Sequence, residues 1–233
     1  MIPWTLIDSA QVPGGEGEIR LYQRGTEYSI RVGAYELMNN RVHGSEDALA
    51  SIVCERLGDR ARARVLIGGL GMGFTLAGVL KDIGQASEVV VAELVPAVVT
   101  WNRGPLGAFT GRPLDDPRVR IRELDVGHVI RAEERGYDAI LLDVDNGPAG
   151  LTSKTNDKLY GPRGLRAAFA ALRPGGILAI WSAGPDPAFT KRLQNAGFAV
   201  EQVRVRGRGK AGGSRFLIWI ARRAVEAQRL KGA

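Results

Sequence analysis

The sequence predicts an α/β fold: a mostly parallel sheet covered by helices on both faces, preceded by a small antiparallel β-hairpin region. Three observations carry this expectation. From Val65 onward, short apolar runs alternate with segments of helical apolar spacing, as in successive βα units. A glycine-rich turn, Gly68-Gly69-Leu70-Gly71-Met72-Gly73, joins the first of those runs to the first of those helices. Residues 1–44 have a different texture, in which polar and apolar residues alternate.

Taken in order, residues 18–22 and 28–32 flank Arg24-Gly25-Thr26, the pattern of a β-hairpin, and residues 35–38 add a third short strand. A hairpin or meander of this size is not independently stable, so it must pack on the larger domain or on a second subunit. The expected division is therefore a hairpin region over 1–44 and one larger domain over 45–233. Ser45 is the expected N-cap of a helix with Glu46 and Asp47 in its first turn, Leu49, Ile52, Val53 and Leu57 on one face, and Gly58 at its end. Strands are expected near 65–69, 88–93, 119–124, 138–143, 177–182, 198–205 and 215–221. Helices are expected near 74–82, 96–103, 127–135, 163–172 and 186–196. The chain carries no internal repeat or low-complexity segment.

Composition narrows the class. The 233 residues are 45% hydrophobic and 24% charged, ordinary values for a chain able to bury a core. A lone cysteine, Cys54, excludes a disulfide within the chain and fits a reducing compartment. No apolar run is long enough to span a bilayer and the first residues lack the pattern of a signal peptide, so the expectation is a cytoplasmic protein with no membrane partner. The formal charge is +7, from 32 basic and 25 acidic residues. Much of the excess lies late, at Arg204, Arg206, Arg208, Lys210, Arg215, Arg222 and Arg223. Such a stretch is more often a solvated surface than an RNA site, which leaves nucleic acid as the less favoured partner.

The glycine turn is a seat for a cofactor. Glycines accept positive φ and let backbone N–H groups approach a ligand at the positive end of the following helix. A phosphate-binding loop needs Lys followed by Ser or Thr after its last glycine, and Phe74-Thr75 stands there instead. The dinucleotide fingerprint requires glycine at position 74, so NAD is weakly supported. The spacing resembles the glycine motif of class I S-adenosylmethionine (SAM)-dependent transferases, and the strand order is similar to their seven-stranded Rossmann-like sheet. A glycine turn after a strand also serves purely structural ends.

In open α/β sheets ligands bind beyond the carboxyl ends of the strands. Glu93 ends the second strand of the larger domain, twenty positions past Gly73, where a carboxylate can accept two hydrogen bonds from ribose hydroxyls. Asp125 ends the third and either accepts from an adenine amino group or N-caps the next helix; the two readings stand equal. The fourth strand runs straight into Asp143-Val144-Asp145-Asn146-Gly147-Pro148. Two acids at i and i+2 suit a cationic amine, one binding the ammonium and the other taking its proton, since only the neutral amine has a lone pair to donate. Loop aspartates also cap turns.

With Glu93, Asp125 and the Asp143–Pro148 stretch in place, followed by Lys158-Leu159-Tyr160 and the Arg-Pro-Gly-Gly run after Leu172, the chain resembles the spermidine synthase (polyamine aminopropyltransferase) family. Its front end, including Arg41-Val42-His43-Gly44-Ser45-Glu46, is similar too, so the likeness covers nearly the whole chain. The resemblance implies a SAM or decarboxylated SAM cofactor held by Gly68, Gly69, Gly71, Gly73, Glu93, Asp125 and Asp143. It implies Asp143 as the catalytic acid–base group, Asp145 as its partner in binding the amine, a substrate side at His43, Ser45, Glu46 and Tyr160, and a homodimer. Two departures bear on the reaction. The family's glycine loop resembles G-G-G-D-G-G, with an acid where Gly71 stands, and that acid holds the amine of decarboxylated SAM. The family's pocket tyrosine falls on Ser45. Without the acid, the discrimination against ordinary SAM is lost.

His43 and His128 are the only histidines and lack metal-ligand spacing, so no metal is expected. His43 reads better as an ordinary surface residue. Residues 152–157 read as a lid or a plain solvated loop. The expected function is methyl transfer from SAM to a small acceptor such as an amine. The alternatives are aminopropyl transfer from decarboxylated SAM to putrescine or a related diamine, and an RNA-associated or non-catalytic nucleoside-binding module.

Overall fold

The computed structural model describes residues 2–15, 17–144, 156–209 and 212–225. Four N-terminal strands, β1 (Thr5–Gln11), β2 (Glu18–Arg24), β3 (Glu27–Val32) and β4 (Tyr35–Asn39), form an antiparallel meander in sequence order. The sequence predicts β2 to β4 but misses β1. That strand lies at the sheet edge, is almost wholly exposed and mixes Asp8, Ser9 and Gln11 among its apolar residues, so no apolar alternation announces it. Its backbone pairing with β2, interrupted by a bulge between Leu6 and Asp8, defines it instead.

Helix α1 (Gly44–Leu57) follows, with His43 rather than Ser45 at the N-cap position and without a side-chain cap. The Ser45 hydroxyl donates to Glu46 Oε2 at 2.5 Å, which takes it away from the capping role the sequence suggested. Beyond it come β5 (Arg64–Gly68), α2 (Phe74–Asp82), β6 (Glu88–Ala92), α3 (Pro96–Arg103), β7 (Val119–Arg122), α4 (Val126–Arg131) and β8 (Tyr137–Leu142). The chain continues through α5 (Asn156–Tyr160), α6 (Pro162–Ala171), β9 (Leu172–Ser182), α7 (Pro187–Asn195), β10 (Phe198–Arg206) and β11 (Arg215–Arg223).

The second sheet has seven strands in the order β10-β11-β9-β8-β5-β6-β7. Pairs from β9 to β7 are parallel, whereas β11 runs antiparallel to both of its neighbours. Chain order runs outward from β5 to β7 on one side and from β8 to β9 on the other. The crevice beyond β5 and β8 is therefore the switch point at which α/β sheets bind ligands. Two elements differ in length from expectation by more than two residues. α4 stops at Arg131 because the chain must turn back through Arg135, at φ 49°, to start β8. β9 begins at Leu172 and includes Pro174, with an irregular register where it meets Tyr137 and Ala139.

Alternate strand residues feed two cores, one on each face of this sheet. Val65, Ile67, Val89, Val91, Ala139 and Leu141 face α1 to α3, while Leu66, Val90, Ile140 and Leu142 face α4, α6 and α7. The first core also takes in Ile19, Leu21, Tyr28 and Ile30 of the N-terminal sheet. The hairpin region therefore packs on the larger domain. Trp101 Nε1 on α3 reinforces the contact by donating to Asp8 Oδ2 at 2.7 Å. Among the described residues, no helix is long and apolar enough to cross a membrane.

Candidate functional site

The glycine turn begins where β5 ends. Gly69, Gly71 and Gly73 take φ of 87°, 53° and 83°, a region open to glycine and costly for other residues. A Cβ at Gly69 would stand 2.6 Å from the Asp143 carbonyl oxygen, so this backbone lies directly against the end of β8. Asn102 of α3 pins the turn from behind, donating from Nδ2 to the Gly71 carbonyl at 2.8 Å. Gly73 then opens α2 without a side-chain cap.

A cavity of about 580 Å³ lies between this turn, the ends of β6 to β8 and the N-terminal sheet. Gly69, Gly71, Glu93, Asp125, Asp143 and Glu46 all line it. The carboxylate of Glu93 is 8% exposed and accepts from the backbone N–H groups of Leu70 (2.9 Å) and Val95 (2.8 Å). Burial raises its pKa against those bonds, so it ties the glycine turn to the start of α3 while turning toward the cavity. Asp125 caps α4 by accepting from His128 N–H at 3.2 Å and also borders the cavity, so its capping role is real and does not remove it from the site.

Asp143 is the electrostatic centre. Its carboxyl is pushed up to about 7, first by burial and then by the negative charge of Glu46; the Thr75 hydroxyl, donating to Oδ2 at 2.8 Å, opposes the rise. Glu46 is raised as well, chiefly by burial, against the hydrogen bond from Ser45 and the charge of His43. Two half-buried carboxyls thus share one wall of the cavity and repel each other when both are ionised. A carboxyl raised in this way takes up and releases its proton more readily near neutral pH than an ordinary Asp, which suits a proton acceptor, and the ionised form is a counter-charge for a cation.

Other expected residues stand elsewhere. His43 stacks on Phe74, with ring centroids 4.0 Å apart, and its Nδ1 is 2.8 Å from Asp47 Oδ2, outside the cavity lining. Tyr160 is buried edge-on against Phe189 in the core, so it packs rather than lining the cavity. Ser45 is buried and acts on Glu46. Gly68 and Gly73 do not line the cavity but leave room for their neighbours: a Cβ at Gly68 would meet Val126 at 2.8 Å, and one at Gly73 would meet Asn102 Oδ1 at 2.9 Å. Asp145 and most of the suggested lid, residues 152–155, lie outside the described residues, as do the side chains of Asn156 and Asp157.

Sequence reasoning missed Thr75, Met38, Asn102 and Trp181. Only Thr75 carried a signal, as the first hydroxyl of the helix that follows the glycine turn. Met38 lies over Gly71, where a Cβ would come within 2.7 Å of its Cε. Part of the C-terminal basic excess is structural, since buried Arg223 donates to the carbonyls of Phe169, Ala170 and Leu172 and so closes the end of α6. Among the described residues, no group of three or more His, Cys, Asp or Glu side chains is arranged to hold a metal.

The chain matches no protein-family model. It is similar to polyamine aminopropyltransferase 1 of Streptomyces coelicolor, at 28% identity over 200 residues, or 82% of this chain and 34% of that protein. The chain therefore spans about a third of the length of that relative. Among solved structures it is similar to the spermidine synthase of Thermotoga maritima, with TM-score 0.75 and 18% identity over 95% of this chain and 74% of that one. It is also similar to a spermidine synthase in complex with the transition state analogue AdoDATO, with TM-score 0.73 and 17% identity over 95% and 73% of the two chains. A probable spermidine synthase from Corynebacterium glutamicum matches with TM-score 0.63 and 16% identity over 94% and 79%. The chain thus shares the methyltransferase-like fold of these solved spermidine synthases and is similar in sequence to a polyamine aminopropyltransferase.

Proposed function

We propose that the chain is a transferase that moves an aminopropyl group from decarboxylated SAM to an amine. The observation that carries this reading is the carboxyl pair Asp143 and Glu46, set in the same cavity as the glycine turn and Glu93. The relatives named above favour aminopropyl transfer over the methyl transfer expected from the sequence. The cradle suits the donor: a side chain at Gly69 would fill the space against Asp143, and Glu93 has lone pairs left for ribose hydroxyls after serving two backbone donors.

The bound sulfonium supplies a carbon made electrophilic by its leaving sulfur. Asp143 and Glu46 attract an ammonium into the cavity, and the carboxylate of Asp143 accepts one of its protons. The nitrogen lone pair then forms the new C–N bond as the C–S bond breaks, its electron pair passing to sulfur. Thr75 holds Asp143 Oδ2, which leaves Oδ1 for the amine. The aliphatic walls exclude water, so alignment rather than bond polarisation supplies most of the acceleration.

A second reading, methyl transfer from intact SAM, is favoured by one observation. Position 71 carries no carboxylate, so nothing there repels the carboxylate of SAM. Mass spectrometry of products, after incubating the purified chain with each donor and a panel of amines, separates the two. An aminopropyl adduct supports the first reading and a methyl adduct the second. Product from neither donor with any amine overturns the transferase assignment.

A further inference from the structure

Strand β4 carries a bulge against β3: Ile30 pairs with Met38 and Arg31 with Glu36, so Leu37 is the extra residue. In a regular strand, neighbouring side chains point to opposite faces. Here Leu37 and Met38 both line the cavity and both pack against the same core. The bulge aims Met38 at the glycine turn of the other sheet, where a Cβ at Gly71 would come within 2.7 Å of its Cε and 2.9 Å of its Sδ. The thioether of Met38 thus fills the volume that a side chain at position 71 would take.

Strand order says which part of a donor lies there. The cavity runs past the ends of β7, β6, β5 and β8, which are neighbours in that order. A sulfonium nucleoside with its adenine by Asp125 and its ribose on Glu93 brings the sulfonium and its side chain to the next strand end. That end is the turn at Gly71, with Asp143 of β8 beyond it. SAM and decarboxylated SAM are identical except for the carboxylate on that side chain. The residue that touches the side chain therefore controls the difference between their affinities. A flexible, polarisable thioether fits either tail without adding charge.

We infer that Met38 seats the side chain of the sulfonium donor and sets the choice between SAM and its decarboxylated form. This rests on the reading of the cavity as a seat for such a donor, and it holds whichever group is transferred. The N-terminal sheet is then part of the donor site, through one residue placed by a bulge.

Charge placed at position 38 reads the contact. Calorimetric titration of the full chain with each donor gives the ratio of their dissociation constants in the parent, Met38→Leu, Met38→Glu and Met38→Lys. Met38→Glu should shift that ratio toward decarboxylated SAM by about tenfold, and Met38→Lys toward SAM by a similar factor, because like charges repel across a partly desolvated contact. Met38→Leu, of similar volume and no charge, should leave the ratio near the parent value. A ratio unmoved by both charges, or moved the same way by both, overturns the inference. The parent supplies a second readout that needs no charged variant. Of the three methionine methyl signals in isotope-labelled protein, the one lost in Met38→Leu belongs to Met38. It should shift on adding either donor, and to a different position with each. A signal unmoved at saturation overturns the inference as well. Binding of neither donor to the parent removes the donor reading and this inference together, whereas binding with an unmoved ratio removes this inference alone.

Discussion

Thr75 and Asp143 meet across the glycine turn, the hydroxyl on the first turn of α2 donating to the carboxylate that ends β8 at 2.8 Å. Among the described residues, this bond is the one influence on Asp143 that favours its charged form, against burial and the charge of Glu46. It sets the pH at which the proposed base becomes available.

With the Asp143 carboxyl near 7, kcat/KM should fall on the acid side with a limb near pH 7. Glu46→Gln removes the like charge and should move that limb to lower pH. Thr75→Val removes the favouring hydrogen bond and should move it to higher pH. Rate profiles of the parent and the two variants check both signs; shifts in the same direction would contradict the assignment.

The same shift acts on stability. A carboxyl whose folded pKa is raised above its unfolded value holds its proton longer in the native state. Stability is therefore lost as pH rises from the ordinary Asp value, 3.8, to about 7. Asp143→Asn should raise Tm at pH 8, and the gain should shrink toward pH 4, as read by melting curves across that range.

Glu93→Ala strips two buried backbone donors, Leu70 and Val95 N–H, of their acceptor. Leaving both unpaired should cost about 2–4 kcal/mol in denaturant unfolding. Donor binding should weaken as well, because the glycine turn loses its tether. Glu93→Gln, which keeps an acceptor oxygen for one of the two, should recover part of the stability and little of the ribose contact.

At the other end of β8, Asp138 is almost fully buried and accepts from Arg60 and Arg173, each at 2.6 Å, and from Arg64 N–H at 2.9 Å. Removing one partner of a buried ion pair typically costs about 3–5 kcal/mol. Asp138→Ala should therefore lower the denaturant midpoint strongly while leaving the Kd for donor unchanged, since these groups sit at the amino end of the strand.

The larger domain was legible because its central strands β5, β6 and β8 are buried on both faces and read as apolar runs: β8 is buried along its whole length, and its carboxyl end marks Asp143. Glu93 was found by its spacing from the glycines. β1 escaped because an exposed edge strand is specified by its partner's backbone and not by its own side chains. Met38 escaped for a related reason, as its contact with Gly71 crosses from one sheet to the loop of the other, and no local period records a meeting of residues 33 positions apart. His43 and Tyr160 were named through the resemblance, and the rings of Phe74 and Phe189 draw them into packing.

Gly71→Asp tests that contact and the choice of donor together. Its φ of 53° is one that aspartate tolerates better than most residues, and the atoms it meets are the flexible end of Met38, which can swing aside. The new carboxylate would border the cavity close to Asp143 and Glu46. It should repel the carboxylate of intact SAM and attract the ammonium of the decarboxylated donor. The ratio of the two dissociation constants should shift toward decarboxylated SAM by about tenfold or more, roughly 1.4 kcal/mol, within the cost of placing like charges together. The added negative charge should also push the Asp143 carboxyl higher and carry the acid limb of kcat/KM upward. Calorimetry with both donors reads the first effect and the rate profile reads the second. A donor ratio that stays at the parent value, with the limb displaced, would mean that position 71 faces the acceptor rather than the donor.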